Sequence, residues 1–284
     1  MSTPLSAFPV RHLTLGDLAW CANLCEDRGW AREERRWNLL LAAGTAYGID
    51  APDGDGLAAT CVVTSYGPAL AAVGMMLVAQ RFARQGIGRR LMTHVLSTTG
   101  STPLTLYATQ FGQPLYEQLG FVEIGSAETV QGHFRSAGSA PGARIRPAVA
   151  ADLMDLARLD GEAFGADRVQ MITRLPAFSD RLLVAEDDSG LTGYAAAWSA
   201  LSADVSGPVI ARDTSTAKAL ISKLAEGAGR PLRTTVDTRH GELLAWMKER
   251  GLEPVTVSTV MTNRVPDLPG DWTRRFAPLS LATG

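Results

Sequence analysis

The chain opens twice. Val10-Arg11-His12-Leu13 runs into Thr14-Leu15-Gly16-Asp17-Leu18, and about 135 residues later Ile145-Arg146-Pro147-Ala148 runs into Ala150-Ala151-Asp152-Leu153. Each copy reads as a short strand, a turn of small residues, and an Asp-Leu pair opening an amphipathic helix. Self-similarity on that scale predicts a duplicated domain rather than one long fold. The seam is Arg135 to Arg144, Arg-Ser-Ala-Gly-Ser-Ala-Pro-Gly-Ala-Arg, where turn-forming residues replace any apolar period. The expected division is therefore 1–134, a linker 135–144, and 145–284, in keeping with a length of 284 residues.

Hydrophobic period gives the elements of each half. In the first, helices are predicted over 15–28 and 31–43, then strands over 47–50, 58–65 and 70–78. A helix over 86–97, a strand over 104–108, a short helix over 113–119 and a strand over 121–124 follow. The second half repeats the rhythm: helix 150–164, strands 181–186 and 191–198, strand 208–211, helix 214–227, strand 233–237, helix 241–250, strand 255–261. A meander of strands followed by alternating helices and strands predicts an α/β fold of the mixed (α+β) kind. Each half is expected to hold a mixed, mostly antiparallel twisted sheet flanked by helices.

The segment from Met75 to Met92 carries the clearest chemistry. A buried strand ends at Met76-Leu77-Val78. A polar loop with Arg81, Arg84 and Gln85 follows, and Gly86-Ile87-Gly88-Arg89 starts a helix. Glycine has no Cβ to keep a ligand away. The unpaired N–H groups and positive dipole end of the helix then face an anion such as a pyrophosphate. The Gly-Lys-Ser/Thr ending of a Walker loop is absent, and a dinucleotide fingerprint would need glycine at Leu91. On spacing alone the turn also serves as a plain strand-to-helix connection.

A second segment narrows the choice. Leu106 to Phe121 reads as a strand, a turn through Thr109 and Gly112, a short helix carrying Tyr116, and Gly120-Phe121 entering a strand. Together the two segments resemble the GNAT superfamily of acetyl-CoA-dependent N-acetyltransferases. That family's motifs are Arg/Gln-x-x-Gly-x-Gly/Ala after a bulged strand and Tyr-x-x-x-Gly-Phe. Gly29-Trp30, Trp37 with Leu40, Gly74 to Val78, and in the second half Gly193-Tyr194, Gly207-Pro208 and Val236-Asp237 make the chain similar to bacterial tandem GNAT proteins. In these a complete N-terminal domain precedes a degenerate one. Ala83 stands where the family usually has Arg or Gln, Thr109 where it often has Asn, and the second half has no Gly-x-Gly helix start.

The resemblance implies direct attack of an amine on acetyl-CoA. Main-chain groups of Met76, Leu77 and Val78 would hold the pantetheine, and Arg81, Arg84, Gln85, Gly86, Ile87, Gly88 and Arg89, with Thr109 and Gly112, would surround the cosubstrate. Tyr116 matches the general acid. No base is identifiable; Glu26, Asp27, Glu33 and Glu34 are the nearby carboxylates. Trp30, Trp37 and Asp237 are expected around the acceptor. At the comparable turn of the second half, Arg212-Asp213-Thr214 predicts a capped helix and no CoA. The expected acceptor is a small-molecule amine, with a non-catalytic acyl-CoA sensor or a protein N-acetyltransferase as alternatives, and a monomer or homodimer equally open.

Other partners are not expected. Lys plus Arg number 27 against 29 Asp plus Glu, a net charge of −2 with no strongly basic surface for nucleic acid. No apolar run approaches the roughly 18 residues of a membrane span. The four histidines have no ligand spacing, so no metal is expected. Cys21, Cys25 and Cys61 read as buried thiols of a cytoplasmic protein.

Overall fold

The computed structural model describes residues 8–135, 144–227 and 229–284. Of the seam expected between Arg135 and Arg144, residues 136–143 lie outside them. In the first half the elements run β1 (Arg11–Leu13), α1 (Leu18–Asp27), α2 (Glu34–Ala43), β2 (Thr45–Asp50), β3 (Leu57–Ser65), β4 (Ala71–Val78), α3 (Ile87–Thr98), β5 (Leu104–Ala108), α4 (Gln113–Gln118) and β6 (Val122–Gly132). The second half runs β7 (Arg144–Pro147), α5 (Leu153–Phe164), α6 (Val169–Ile172), α7 (Leu175–Phe178), β8 (Arg181–Asp187), β9 (Gly190–Ser199) and β10 (Asp204–Ala211). It closes with α8 (Thr214–Ala225), β11 (Leu232–Asp237), α9 (Gly241–Glu249), β12 (Glu253–Asn263) and β13 (Arg275–Ala277).

The repeat in the sequence is a repeat in chemistry. Arg11 on β1 bonds Asp17 and Asp50, at 2.7 and 2.8 Å. Arg146 on β7 bonds Asp152 and Glu186, at 2.7 and 2.9 Å. In both copies the aspartate also accepts the backbone N–H of the residue three places before it, Thr14 or Val149, at 2.8 Å. The aspartate thus ties strand, turn and first helix together, which is why the Asp-Leu pair recurs.

The two halves do not form separate sheets. One sheet runs β1-β2-β3-β4-β5-β12-β6-β11-β10-β9-β8-β7, with β13 paired to β10 off that path. Each half gives a long strand to the other: β12 lies antiparallel to β5, Thr259 opposite Ala108, and β6 lies antiparallel to β11, Ala127 opposite Asp237. The two lent strands then pair with each other. This removes two open edges from the middle of the molecule. It also explains why β6 extends to Gly132 rather than stopping at Ile124, since it has a partner on both sides. Among the strands of the described residues, only β4 with β5 and β10 with β11 pair in parallel.

Helices α3 and α4 cover one face of the first half, burying Ile87, Leu91 and Tyr116 against Leu104 and Leu106, with Met261 of β12 in the same cluster. The opposite face buries Trp37 and Leu40 of α2 against Met75 and Leu77. Beyond it, Leu39, Tyr66 and Ala72 pack on Leu156, Phe164 and Tyr194, so the second half covers that face. A buried ion pair, Arg168 with Asp160 at 3.0 Å, sits in this seam, and Tyr194 donates its hydroxyl to the same Asp160. No helix among the described residues is long and apolar enough to cross a membrane.

Candidate active site

β4 is a strand that stops pairing halfway. Ala71, Ala72 and Val73 lie opposite Leu104, Thr105 and Leu106, and beyond Val73 the strand leaves β5. The departure is a bulge: register against β3 shifts between Thr60 and Val62, and Met75 takes a positive φ of 49°. A non-glycine residue there is strained, and the Thr60 hydroxyl holds it by donating to the Met75 carbonyl at 2.9 Å. Met76 to Val78 consequently present to the β5 side a main-chain edge with no strand on it.

That edge leads into the helix start. Gly86, with φ 77°, is the residue before α3 and offers no side-chain cap. The first bond of the α3 ladder is Arg90 N–H to Gly86 carbonyl, at 3.0 Å, so the N–H groups of Ile87, Gly88 and Arg89 precede the ladder. A Cβ on Gly88 would stand 3.4 Å from Leu115 Cδ2 and 3.5 Å from Val78 Cγ2. Strand end, helix start and α4 therefore meet at this one residue. Arg81 is turned away, bonded to Asp53 and at 2.9 Å to the Asp55 carbonyl. Arg89 bonds Gln118 on α4, and the Gln85 amide lies 3.4 Å from the Arg81 carbonyl. Arg84 is exposed, with a φ of 60° and a side chain that bonds no described residue.

Tyr116 stands on α4, next to Leu115. It is 7% exposed and meets Phe121 edge to face, with centroids 5.9 Å apart. Burial, with the Cys61 thiol as a smaller contribution, pushes its phenol above the ordinary value. Thr109 prepares the helix, its hydroxyl accepting the Gly112 N–H at 3.2 Å. Of the carboxylates considered as a base, Glu26 and Glu34 bond Arg32, Glu33 bonds Arg36, and Asp27 accepts the Gln80 N–H at 2.7 Å. All four are taken.

The same frame in the second half is filled. β10 pairs with β11 only from Asp204 to Ser206, then shifts register and diverges. Into that divergence comes β13: Val209 lies opposite Ala277 and Ile210 opposite Arg275. The helix start is closed too, because the Asp213 carboxylate accepts the Thr216 N–H at 2.8 Å. The tail after β13 crosses to the first half. A Cβ on Gly207 would meet the Pro278 carbonyl at 2.2 Å, and one on Gly74 would meet Ala282 Cα at 2.4 Å. Tyr66 and Arg168 bond the carbonyls of Thr283 and Gly284. Both glycines are thus required by close approach of the tail.

Between tail, β5 and β11 lies a cavity of about 30 Å³, lined among others by Tyr107, Phe164, Arg168, Asp237, Arg239 and Arg275. Asp237 is in that lining, its carboxylate held by Arg239 at 2.6 Å. Trp30 and Trp37 are not in its lining. Trp30 is 42% exposed, and Trp37 is fully buried with its indole N–H 3.1 Å from Cys25 Sγ. Tyr107, Arg168, Arg239 and Arg275 were not foreseen. The alternation of β5 does contain a signal for Tyr107, since Leu104, Leu106 and Ala108 face α3 and the residues between them face the other way.

A family model described as acetyltransferase (GNAT) domain matches residues 60–136, and a second of the same description matches 156–277. The chain is a GNAT acyltransferase with two such domains in tandem. It is 29% identical over 232 residues, 80% of this chain and 82% of the other, to YitH of Bacillus subtilis strain 168, an uncharacterized N-acetyltransferase. A Pyrococcus horikoshii protein shares the fold across 99% of this chain and 98% of its own, with TM-score 0.83 and 18% identity. A tandem GNAT protein from the clavulanic acid biosynthesis pathway shares it across 92% and 99%, with TM-score 0.65 and 14% identity.

Proposed function

We propose that the chain transfers the acetyl group of acetyl-CoA to a primary amine of a small molecule, and that one half does the chemistry. The observation that carries this reading is the open edge at Met76 to Val78 running into the uncapped Gly86-Ile87-Gly88 helix start. Pantetheine amides pair with main chain there, and the pyrophosphate takes the N–H groups of Ile87, Gly88 and Arg89. Gly112 and Thr109 shape the turn before α4, and exposed Arg84 and Gln85 stand beside the phosphates. In the second half a strand and a carboxylate occupy both places, so it binds no CoA.

The amine attacks the thioester carbonyl and the tetrahedral intermediate expels CoA thiolate, which takes one proton while the amine loses one. Tyr116 donates to the thiolate. Its raised pKa keeps it a phenol at working pH, and a donor of reference pKa about 10 reaches a thiolate near 8.5 through position in a dry site, where the thiol is raised as well. The face opposite α3 is covered by the second half and the tail, which favours a small acceptor over a peptide in an open groove. The test is acetyl-CoA-dependent acetylation across a library of primary amines, followed by mass spectrometry. Transfer to at least one amine is expected. Tight acetyl-CoA binding with transfer to none would make the chain a binding protein instead.

A further inference from the structure

The cavity beside β5 holds donors with nothing to donate to. Arg275 Nη1 is shut off from solvent and has no hydrogen-bond partner, and the side chain forms no ion pair with any described residue. Phe164 lies under its guanidinium at 5.6 Å. The Tyr107 hydroxyl, in the same lining, also bonds no described residue. The remaining charges cannot serve them. Asp237 is held by Arg239 through three contacts of 2.6 to 3.0 Å and accepts the Arg239 backbone N–H at 2.9 Å. Asp160 is held by Arg168 and Tyr194 behind the wall. Among the side chains, three guanidinium groups thus face the space with a single, occupied carboxylate, and the main-chain oxygen of Gly284 in the same lining is taken by Arg168 at 3.1 Å. Desolvation, and the like charges of Arg239 and Arg168, lower the pKa of Arg275. Both are relieved by an anion.

Position gives the anion a purpose. Tyr107 stands one residue past the last β4–β5 pair, Val73 with Leu106, on the face away from α3. Gly284, also in the lining, lies against Ala72 and Thr105 at that same point. The cavity therefore abuts the divergence of the two strands, beside the β4 edge on which the proposed reading holds the thioester. About 30 Å³ accommodates a group the size of one or two waters. A carboxylate is such a group, and a guanidinium fork matches it with two parallel bonds.

We propose that this cavity is a carboxylate subsite, with Arg275 and Tyr107 as its donors, and that the acceptor is an amine bearing a carboxylate, such as an amino acid. This rests on the acetyltransferase reading above, so one arm of the test does not need turnover. In that arm the full-length chain is titrated calorimetrically with propionate against chloride at matched ionic strength. Saturable propionate binding is expected, and it should be lost in Arg275→Gln and weakened in Tyr107→Phe, which keeps the ring should the arginine variant not fold. Absence of propionate binding in the parent overturns the subsite whether or not the chain is an acetyltransferase. In the second arm, amino acids and their carboxamides are compared as acceptors. The acids should be preferred by about 10- to 100-fold in kcat/KM, the worth of a hydrogen bond to a charged group. Arg275→Gln should erase the preference through KM, with acetyl-CoA affinity unchanged. Propionate binding without any acid-over-amide preference would mean a free anion uses the site, and would contradict its role in acceptor binding.

Discussion

β4 with α3 and β10 with α8 are the same construction in two states. Both strands pair in parallel for three residues, both break register at a glycine, and both lead to a helix start. At β4 the freed edge has no strand on it and the helix start has no side-chain cap. At β10 the chain uses them itself, through β13 on the edge and Asp213 on the helix. Duplication therefore produced two frames, and one of them has been spent on structure. The filled frame also supplies the first half with β12 at its core and the tail at Gly74. The second half is thus a structural part of the first.

The most drastic way to break the comparison is to separate the halves. A chain cut after Arg135 loses β12, leaving β5 paired with β4 alone and β6 with neither of its partners. Thermal unfolding followed by circular dichroism should show no cooperative transition. A truncated chain that melts cooperatively and still binds acetyl-CoA would show the strand exchange to be dispensable.

Next in size is Gly88→Glu. The Cβ itself meets only ordinary contacts at 3.4 and 3.5 Å, so the fold survives, while the carboxylate stands where the pyrophosphate belongs and repels it. Acetyl-CoA binding should vanish with the melting temperature near that of the parent. Retained affinity would remove the cradle.

Tyr116→Phe comes third. It keeps the packing against Phe121 and deletes the proton donor, so kcat should fall by about 10²- to 10⁴-fold with acetyl-CoA affinity little changed. Parental turnover at saturating amine would make Tyr116 a packing residue.

The smallest effect belongs to the filled half. Burial pushes the Asp213 carboxyl up, but hydrogen bonds from Ser215 and Thr216 outweigh it and bring its pKa down to about 2. Asp213→Ala should cost about 1 kcal/mol as a lost helix cap and create no second CoA site, because β13 still fills the edge. The sign follows from the depressed pKa: the cap contributes fully above the unfolded value near 4, and its contribution fades as pH falls from there towards 2. Urea melts of parent and variant should therefore converge in that range. An equal difference at pH 7 and pH 2 would mean that the carboxylate is not the cap.

Much of this was legible in the sequence because it is local. Gly86-x-Gly88, the Tyr116 to Phe121 run and the Asp213 turn each state their geometry within a few residues, and the structure puts the two glycines at the start of α3. What was not legible is long-range. β6 and β12 both read as the closing strand of their own half, and alternation does not say which neighbour a strand will choose. β13 is three residues long, and α6 and α7 four each, too short to carry a period. Trp37 looked like a pocket wall because aromatic residues serve in both places, yet α2 turns it into the core against Met75 and Leu77. The arginines of the cavity come from α6's entry, the end of β11 and β13, and only the tail's path brings them together.

The asymmetry of the two frames is tested most directly by counting. Calorimetric titration of the full chain with acetyl-CoA should give one site per chain. Two equivalent sites, or one that persists in Gly88→Glu, would place CoA in the second half and contradict the account.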